Sequence, residues 1–342
     1  MRVGVIGAGA WGTTVAALFA PRAETTLWAR EPEVVAAVQE RRQNTLFLPD
    51  IRLPDELSAT TSLPEALERA EAVVVGVPAQ HLRSTMAEAR ASVPPDVPVL
   101  SLSKGIEEGS LLRMTEVLGE VLADHPSDLI GVLSGPNLAR EVASAQPSAT
   151  VVAFGEHGVA ARLQAVLTTE AFRVYTSTDL VGCETGGAVK NVMAIATGMA
   201  DGMGYGWNTR AALITRGLAE MTRLGVALGG EAHTFLGLAG SGDLMATCSS
   251  TESRNHHVGF ELAGGRALDD VLAGTATVAE GVRSTPGVVE LARRAGVEMP
   301  IVEQVGAVLA GERRPDEVAS HLMRREPKPE LADLHRGPAG DA

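Results

Sequence analysis

Only three of the 29 basic residues in this 342-residue chain are lysines: Lys104, Lys190 and Lys328. Where positive charge alone is needed the chain uses arginine, a fixed fork that keeps its charge, so each lysine calls for its own reason. Lys190 has the clearest one. It lies in Gly186-Gly187-Ala188-Val189-Lys190-Asn191-Val192-Met193-Ala194-Ile195, a helical stretch with small or apolar neighbours on nearly every side. Burial disfavours the charged ammonium there and readies it to exchange a proton with a reacting group, which arginine cannot do. Asp243 follows the glycine-rich turn Gly240-Ser241-Gly242 and can hold such an ammonium in place. Ser253-Arg254-Asn255 combines a hydroxyl, a guanidinium fork, an amide and the free N–H groups of a helix start. That set suits a phosphate, although an ordinary helix cap has the same sequence. Lys104, in the turn Ser103-Lys104-Gly105, can donate to a substrate or lie beside a cofactor, and Lys328 reads as a solvated charge in a Pro-rich terminal stretch.

A second chemical signal opens the chain. Gly7-Ala8-Gly9-Ala10-Trp11-Gly12 directly follows an apolar strand pattern and starts a helix that Pro21 must end. In a strand–turn–helix the three glycines have separate tasks: a tight turn, close approach of backbone to a pyrophosphate, and close helix–strand packing. The second strand ends Leu27-Trp28-Ala29-Arg30 rather than in the acidic residue that accepts from ribose hydroxyls. A guanidinium suits a 2′-phosphate, so Arg30 favours NADPH, with NADH kept open by the neighbouring Glu31.

The elements that must carry these residues follow from patterning. Strand patterns fall at Val3–Ile6, Thr25–Trp28, Ala72–Val75, Val97–Leu102, Leu129–Leu133, Thr150–Ala153 and Arg173–Tyr175, alternating with amphipathic stretches. Such alternation predicts an α/β Rossmann-like amino-terminal domain with a mostly parallel sheet, whose strand-end turns are where ligands bind. From about Asp179 long helical runs take over, predicting an all-α carboxyl-terminal domain. Asn208-Thr209 can cap a helix running towards Leu224 with Gly225 as its stop, and another helix fits Arg254–Ala263, closed by Gly264-Gly265. The expected division is residues 1–178, 179–325 and a mobile tail over 326–342.

Composition narrows the class. With 45% hydrophobic residues, 21% charged and a net charge of −13, the chain is neither a disordered segment nor a basic nucleic-acid-wrapping protein. Two cysteines, Cys183 and Cys248, are too few for a disulfide framework and fit a reduced, cytoplasmic setting. The apolar start after Met1-Arg2 is interrupted by glycines and lacks a cleavage region, and no long apolar run predicts a membrane span. Cys248 reads as a packed thiol, and the adjacent His256-His257 do not read as a metal site, since neighbours on a helix point apart.

In their order along the chain, Gly7-x-Gly9-x-Trp11-Gly12, Ser103-Lys104-Gly105, Gly135-Pro136-Asn137-Leu138-Ala139-x-Glu141, Lys190-Asn191, Gly242-Asp243-Leu244-x-x-Thr247-Cys248, Ser253-Arg254-Asn255 and Glu280-Gly281 resemble the prokaryotic-type NAD(P)-dependent glycerol-3-phosphate dehydrogenases. The resemblance implies reduction of dihydroxyacetone phosphate to sn-glycerol 3-phosphate for phospholipid synthesis, a cleft site between a Rossmann domain and a helical one, and a homodimer. It implies Lys190 as the proton donor and acceptor, and substrate contacts from Lys104, Gly135, Asn137, Lys190, Asp243, Ser253, Arg254 and Asn255. It implies cofactor contacts from the loop residues Gly7, Gly9, Ala10, Trp11 and Gly12, and from Arg30, Lys104, Ala139, Arg254, Val278 and Glu280. Asn137, Ser241 and His256 depart from the pattern, standing where the family often has Ser or Thr, Leu, and a further basic residue. Two other readings stay open on the residues alone: a reductase of related architecture acting on a different keto acid, and a non-catalytic protein that senses NADP.

Overall fold

Ala72-Val73-Val74-Val75 is aliphatic at every position and buried at every position, the mark of a strand covered on both faces. It is one of eight strands in the computed structural model, which describes residues 1–273, 279–327 and 329–330. The strands are β1 (Arg2–Ile6), β2 (Glu24–Trp28), β3 (Ser58–Thr60), β4 (Ala72–Val75), β5 (Val99–Ser101), β6 (Ile130–Ser134), β7 (Ser148–Phe154) and β8 (Phe172–Ser177), in sheet order β3-β2-β1-β4-β5-β6-β7-β8. All neighbours run parallel except β6 and β7, which pair antiparallel. Between them lie α1 (Ala10–Phe19), α2 (Pro32–Arg41), α3 (Leu63–Leu67), α4 (Ala79–Ala89), α5 (Met114–Val121), α6 (Ala139–Ala143) and α7 (His157–Leu167). Strand order turns back beside β1, so the ends of β1 and β4 form the crevice where such sheets take ligands.

Seven of the strands match the sequence patterns. β3 was not expected, because Ser-Ala-Thr is too short and too polar to read as a strand; its pairing to β2 supplies what the pattern lacks. The antiparallel step was equally hidden, since strand direction is set by how the connection crosses the sheet and not by side-chain alternation.

The second unit is helical: α8 (Leu180–Gly202), α9 (Trp207–Ala227), α10 (Asp243–Ser249), α11 (Arg254–Ala263), α12 (Leu268–Ala273), α13 (Glu280–Arg294), α14 (Pro300–Leu309) and α15 (Pro315–Met323). Compactness divides the chain into Met1–Lys104 with Leu112–Leu180, and Gly105–Leu111 with the described residues from Val181 onward. Gly105–Leu111, which the sequence places with the strands, therefore belongs to the helical unit. There Ile106 donates its N–H to Ser284 Oγ (3.3 Å) and its side chain meets Gly287 of α13. No helix among the described residues is long and apolar enough to cross a membrane.

α8 is buried continuously from Gly182 to Ala200, and α9, α11 and α13 close on it: a Cβ on Gly217, Gly259 or Gly281 would meet Met193, Ile195 O or Asn191 O. The expected limits of α9 need correction. Its cap is Gly206, Asn208 and Thr209 lie inside its first turn, and the helix runs through Gly225 to Ala227. Gly225 serves packing instead: a Cβ there would sit 2.0 Å from the Phe235 ring. The expected helix Arg254–Ala263 forms as α11, with Gly264 as its cap and Gly265 at φ +86°.

Glu220 of α9 is buried and accepts from the N–H groups of Ile301 (2.8 Å) and Val302 (3.3 Å), joining α9 to the start of α14. Burial outweighs these bonds and pushes its carboxyl up from 4.5 to about 7. The native state then holds a proton that the unfolded chain has released, so this group's contribution is complete at low pH and is lost as pH rises through about 7. Glu220→Gln removes the titration. Its melting temperature, relative to the unmodified protein, should rise between about pH 5 and pH 8; a difference flat across that range would refute the assignment.

Candidate functional site

In the helical unit, the chemistry converges on Lys190. The residue is 8% exposed, and its Nζ donates to Asp243 Oδ1 (2.6 Å) and Thr247 Oγ1 (2.9 Å). Asp243 is 1% exposed. Two of the three ammonium hydrogens are thus placed, and the third has no partner among the described residues. A buried ion pair holds together only while both charges remain; losing one partner costs about 3–5 kcal/mol.

The approach of Asp243 depends on small residues. Leu238–Gly242 forms a π-helical turn that leads straight into α10, whose first residue is Asp243. Gly186, one turn before Lys190 on α8, lets that turn come close: a Cβ there would lie 2.5 Å from the Ala239 carbonyl oxygen. Gly240 has no more room against Phe235. Cys248, one turn after Leu244, is fully buried, and burial pushes its thiol up to about 12, which makes it a packing residue rather than a nucleophile.

The start of α11 carries groups of the kind an anion would need. Ser253 Oγ caps the helix by accepting from His256 N–H (3.3 Å), while the N–H groups of Arg254 and Asn255 have no partner among the described residues. A pocket of about 170 Å³ opens there, lined by Ser253, Arg254, His257, Val258 and Ala279 among others. Although much of Arg254 meets solvent, its guanidinium is surrounded closely enough that desolvation lowers it from its ordinary value, with the Glu280 carboxylate opposing the shift. The group stays charged at any working pH.

Asn255 is engaged on both sides. Its Nδ2 donates to Asn191 Oδ1 (3.0 Å) and its Oδ1 accepts from Gly281 N–H (2.9 Å), tying the starts of α11 and α13 to the residue after Lys190. Val278 lies outside the described residues, as does Lys328.

In the sheet unit the glycine loop has the form expected of a dinucleotide cradle. Gly7 sits at φ +108°, a backbone setting that L side chains rarely adopt. Gly12 touches the loop itself, since a Cβ there would lie 2.0 Å from Gly7 O. A Cβ on Gly9 would meet nothing within 4 Å, so the loop leaves open space there. α1 begins at this point with no side-chain cap, and its first N–H groups face that space as a ready anion site. Trp11 packs edge-on against Phe172 (6.4 Å), and its buried Nε1 has no hydrogen-bond partner among the described residues. These features fit a bound pyrophosphate.

The other expected contacts of this unit are placed as follows. Arg30 is exposed and forks onto Glu31 Oε1 (3.0 and 2.8 Å). Lys104 Nζ donates to Gly135 O (2.9 Å), and Gly135 stands at φ +147°. Asn137 Nδ2 donates to Thr150 Oγ1 (3.0 Å), and its buried Oδ1 has no hydrogen-bond partner among the described residues. Ala139 opens α6 and accepts Thr14 Oγ1 of α1 on its carbonyl (3.2 Å).

Several residues that hold these groups went unread in the sequence. Asn44 is fully buried; its Nδ2 donates to Ala8 O (2.7 Å) and Thr13 Oγ1 (2.8 Å), and its Oδ1 accepts from Phe47 N–H (3.0 Å). It locks the glycine loop from 36 residues away in sequence. Thr247 and Asn191, which stand in the sequence motifs without a role assigned, do the same for Lys190 and Asn255. A polar residue between apolar neighbours is the available signal, but it does not say which partner it finds.

Two family models match. One, described as NAD-dependent glycerol-3-phosphate dehydrogenase N-terminus, covers residues 2–160, and one described as the C-terminus of the same enzyme covers residues 179–320. Glycerol-3-phosphate dehydrogenase (NAD(P)+) of Thermobifida fusca is 50% identical over 331 residues, 96% of this chain and 98% of that protein. The enzyme named glycerol-3-phosphate dehydrogenase (NAD(P)+) 2 of Sphingopyxis alaskensis is 49% identical over 324 residues, 95% of this chain and 96% of that protein. The crystal structure of glycerol-3-phosphate dehydrogenase from Coxiella burnetii superposes with a TM-score of 0.89 at 35% identity, covering 95% of this chain and 99% of that one.

The loop geometry separates two glycine substitutions. Gly9→Ala keeps an ordinary φ of −63° and meets open space, so the protein should melt as before while its affinity for the dinucleotide falls about tenfold or more. Gly12→Ala should lower the melting temperature as well, because its Cβ meets backbone. Thermal melts and fluorescence titration with the cofactor read both; equal melts for the two variants would refute this division.

Proposed function

The chain belongs to the NAD-dependent glycerol-3-phosphate dehydrogenase family, and on that premise we propose that Lys190 is the acid/base of an NAD(P)-dependent reduction of dihydroxyacetone phosphate to sn-glycerol 3-phosphate. The observation that carries the reading is the buried Lys190–Asp243–Thr247 cluster, a charge held dry at cost with one N–H left over. The bound nicotinamide supplies the hydride to the ketone carbon. As charge develops on the carbonyl oxygen, Lys190 Nζ gives it a proton; in the oxidative direction the amine takes that proton back.

Asp243 and Thr247 keep the ammonium aimed, and Asp243 balances its charge in a setting that would otherwise reject it. Arg254 and the start of α11 take the phosphate, with the Arg254 fork and the two N–H groups as donors. Asn255 acts by holding that helix start to Asn191, and Lys104 presents a compact donor beside Gly135. Gly7, Gly9 and Gly12 with the start of α1 hold the pyrophosphate.

NADPH is the favoured cofactor in this reading, because Arg30 is exposed at the end of β2 and its guanidinium can leave Glu31 for a 2′-phosphate. An exposed pair of this kind is weak, so the exchange is easy. Supply of glycerol 3-phosphate for phospholipid synthesis, a cytoplasmic setting and a homodimer belong to the same proposal. The two buried cysteines, Cys183 and Cys248, are not joined in a disulfide, which supports the setting.

Two measurements test it. Lys190→Arg preserves charge but not proton exchange, and should lower turnover with dihydroxyacetone phosphate by roughly 100-fold or more with the fold intact. Turnover near that of the unmodified enzyme would remove Lys190 from the chemistry. Arg30→Ser should raise KM for NADPH about tenfold and leave KM for NADH within about twofold. Equal changes for the two cofactors would end the Arg30 assignment.

A further inference from the structure

The side chains of His256 and Asp201 are used by nothing described so far, and they meet inside the helical unit, His256 buried and Asp201 half-buried. His256 is 5% exposed, and its Nε2 meets Asp201 Oδ2 at 2.7 Å. The same carboxylate accepts from Arg210 of α9, at 2.7 Å on Oδ2 and 3.3 Å on Oδ1. Arg210 in turn lies over the Trp207 ring, 4.5 Å from its centroid. One carboxylate therefore joins α8, α9 and α11.

Helix periodicity gives the arrangement its meaning. Asp201 follows Lys190 by eleven residues, close to three turns, so both fall on nearly one stripe of α8, about 16 Å apart along the axis. A neighbouring stripe carries Asn191, Ile195, Gly198 and Gly202, and this stripe meets α11. Asn191 bonds Asn255; a Cβ on Gly198 would lie 2.0 Å from His256 O, and one on Gly259 of α11 would lie 2.0 Å from Ile195 O. The two backbones touch, which fixes the distance between the helices. The polar anchors at the start of α11, Asn191–Asn255 and Asn255–Gly281, both act through one residue, Asn255.

His256 supplies the second point. It stands two residues after Arg254, and its ring reaches around α8 to the stripe that bears Lys190. We propose that His256 and Asp201 are positioning residues, which set the roll of α11 and so the place of Arg254 and its pocket relative to Lys190. Among the described residues the His256 ring faces the charged groups Asp201 and, through it, Arg210. Burial works to raise the Asp201 carboxyl, but its bonds to Arg210 and His256 outweigh that and hold it below the ordinary value, as a retained anionic anchor requires. The effect is on where the phosphate is held; proton transfer at Lys190 is untouched.

The proposal rests on the substrate reading above, and the test separates the two. The unmodified enzyme is assayed first with NADPH and dihydroxyacetone phosphate; absence of turnover there would sink the reading itself. Given turnover, His256→Ala should raise KM for dihydroxyacetone phosphate and the inhibition constant of inorganic phosphate together, about tenfold, with kcat within about threefold. His256→Gln keeps an N–H at similar reach and should restore both constants to within about threefold of the unmodified enzyme. Asp201→Asn, which preserves volume, should move the same two constants in the same direction as His256→Ala. Unchanged constants in His256→Ala and Asp201→Asn, kcat falling as far as KM rises, or no rescue by Gln would each overturn the positioning role.

Discussion

An ammonium group with little access to water is the constraint from which much of the helical unit follows. Lys190 cannot sit charged in the middle of an apolar helix unless a partner arrives with near-perfect geometry, and Asp243 at 2.6 Å is that partner. To bring it there the chain needs a turn tight enough to lie against α8, hence Gly186 and Gly240, and a π-helical turn that delivers Asp243 as the first residue of α10. Thr247, one turn further on, shares the ammonium and donates to the same carboxylate oxygen (3.3 Å). Remove any of these and the buried charge loses either its partner or its direction.

The sheet unit solves a different problem by the same means. A pyrophosphate must come within reach of backbone N–H groups, so side chains must be absent where it lies and the loop must not move. Gly9 provides the absence, while Gly7 and Gly12 give the tight turn and the close packing beneath it. Asn44 provides the stillness, with three hydrogen bonds that close the loop from behind. Family membership is in accord with both arrangements: in the proposed function the sheet unit takes the dinucleotide and the helical unit a proton and an anion.

Much of this was legible in the chain before any coordinates. The glycine spacing, the apolar setting of Lys190 and the Ser-Arg-Asn helix start each state their chemistry in local terms, because each is a demand made by residues close in sequence. Seven strands and the helix Arg254–Ala263 were legible for the same reason, being local periodicities bounded by turn residues. What went wrong was also local in cause. Gly225 reads as a helix stop by itself, but the Phe235 ring needs the space its hydrogen leaves, so the helix continues past it.

The sequence by itself determined which residue types were available for chemistry and the class of fold that would carry them, since burial periodicity, turn residues and lysine scarcity are properties of neighbours along the chain. Tertiary structure alone decided the partners. That Lys190 meets Asp243 across 53 residues, Asn255 meets Asn191 across 64, Glu220 meets Ile301 across 81 and His256 meets Asp201 across 55 depends on helix crossings. The physical reason is that a hydrogen bond requires two atoms within about 3 Å in a suitable direction, and helix crossing sets that distance and direction where spacing along a chain does not.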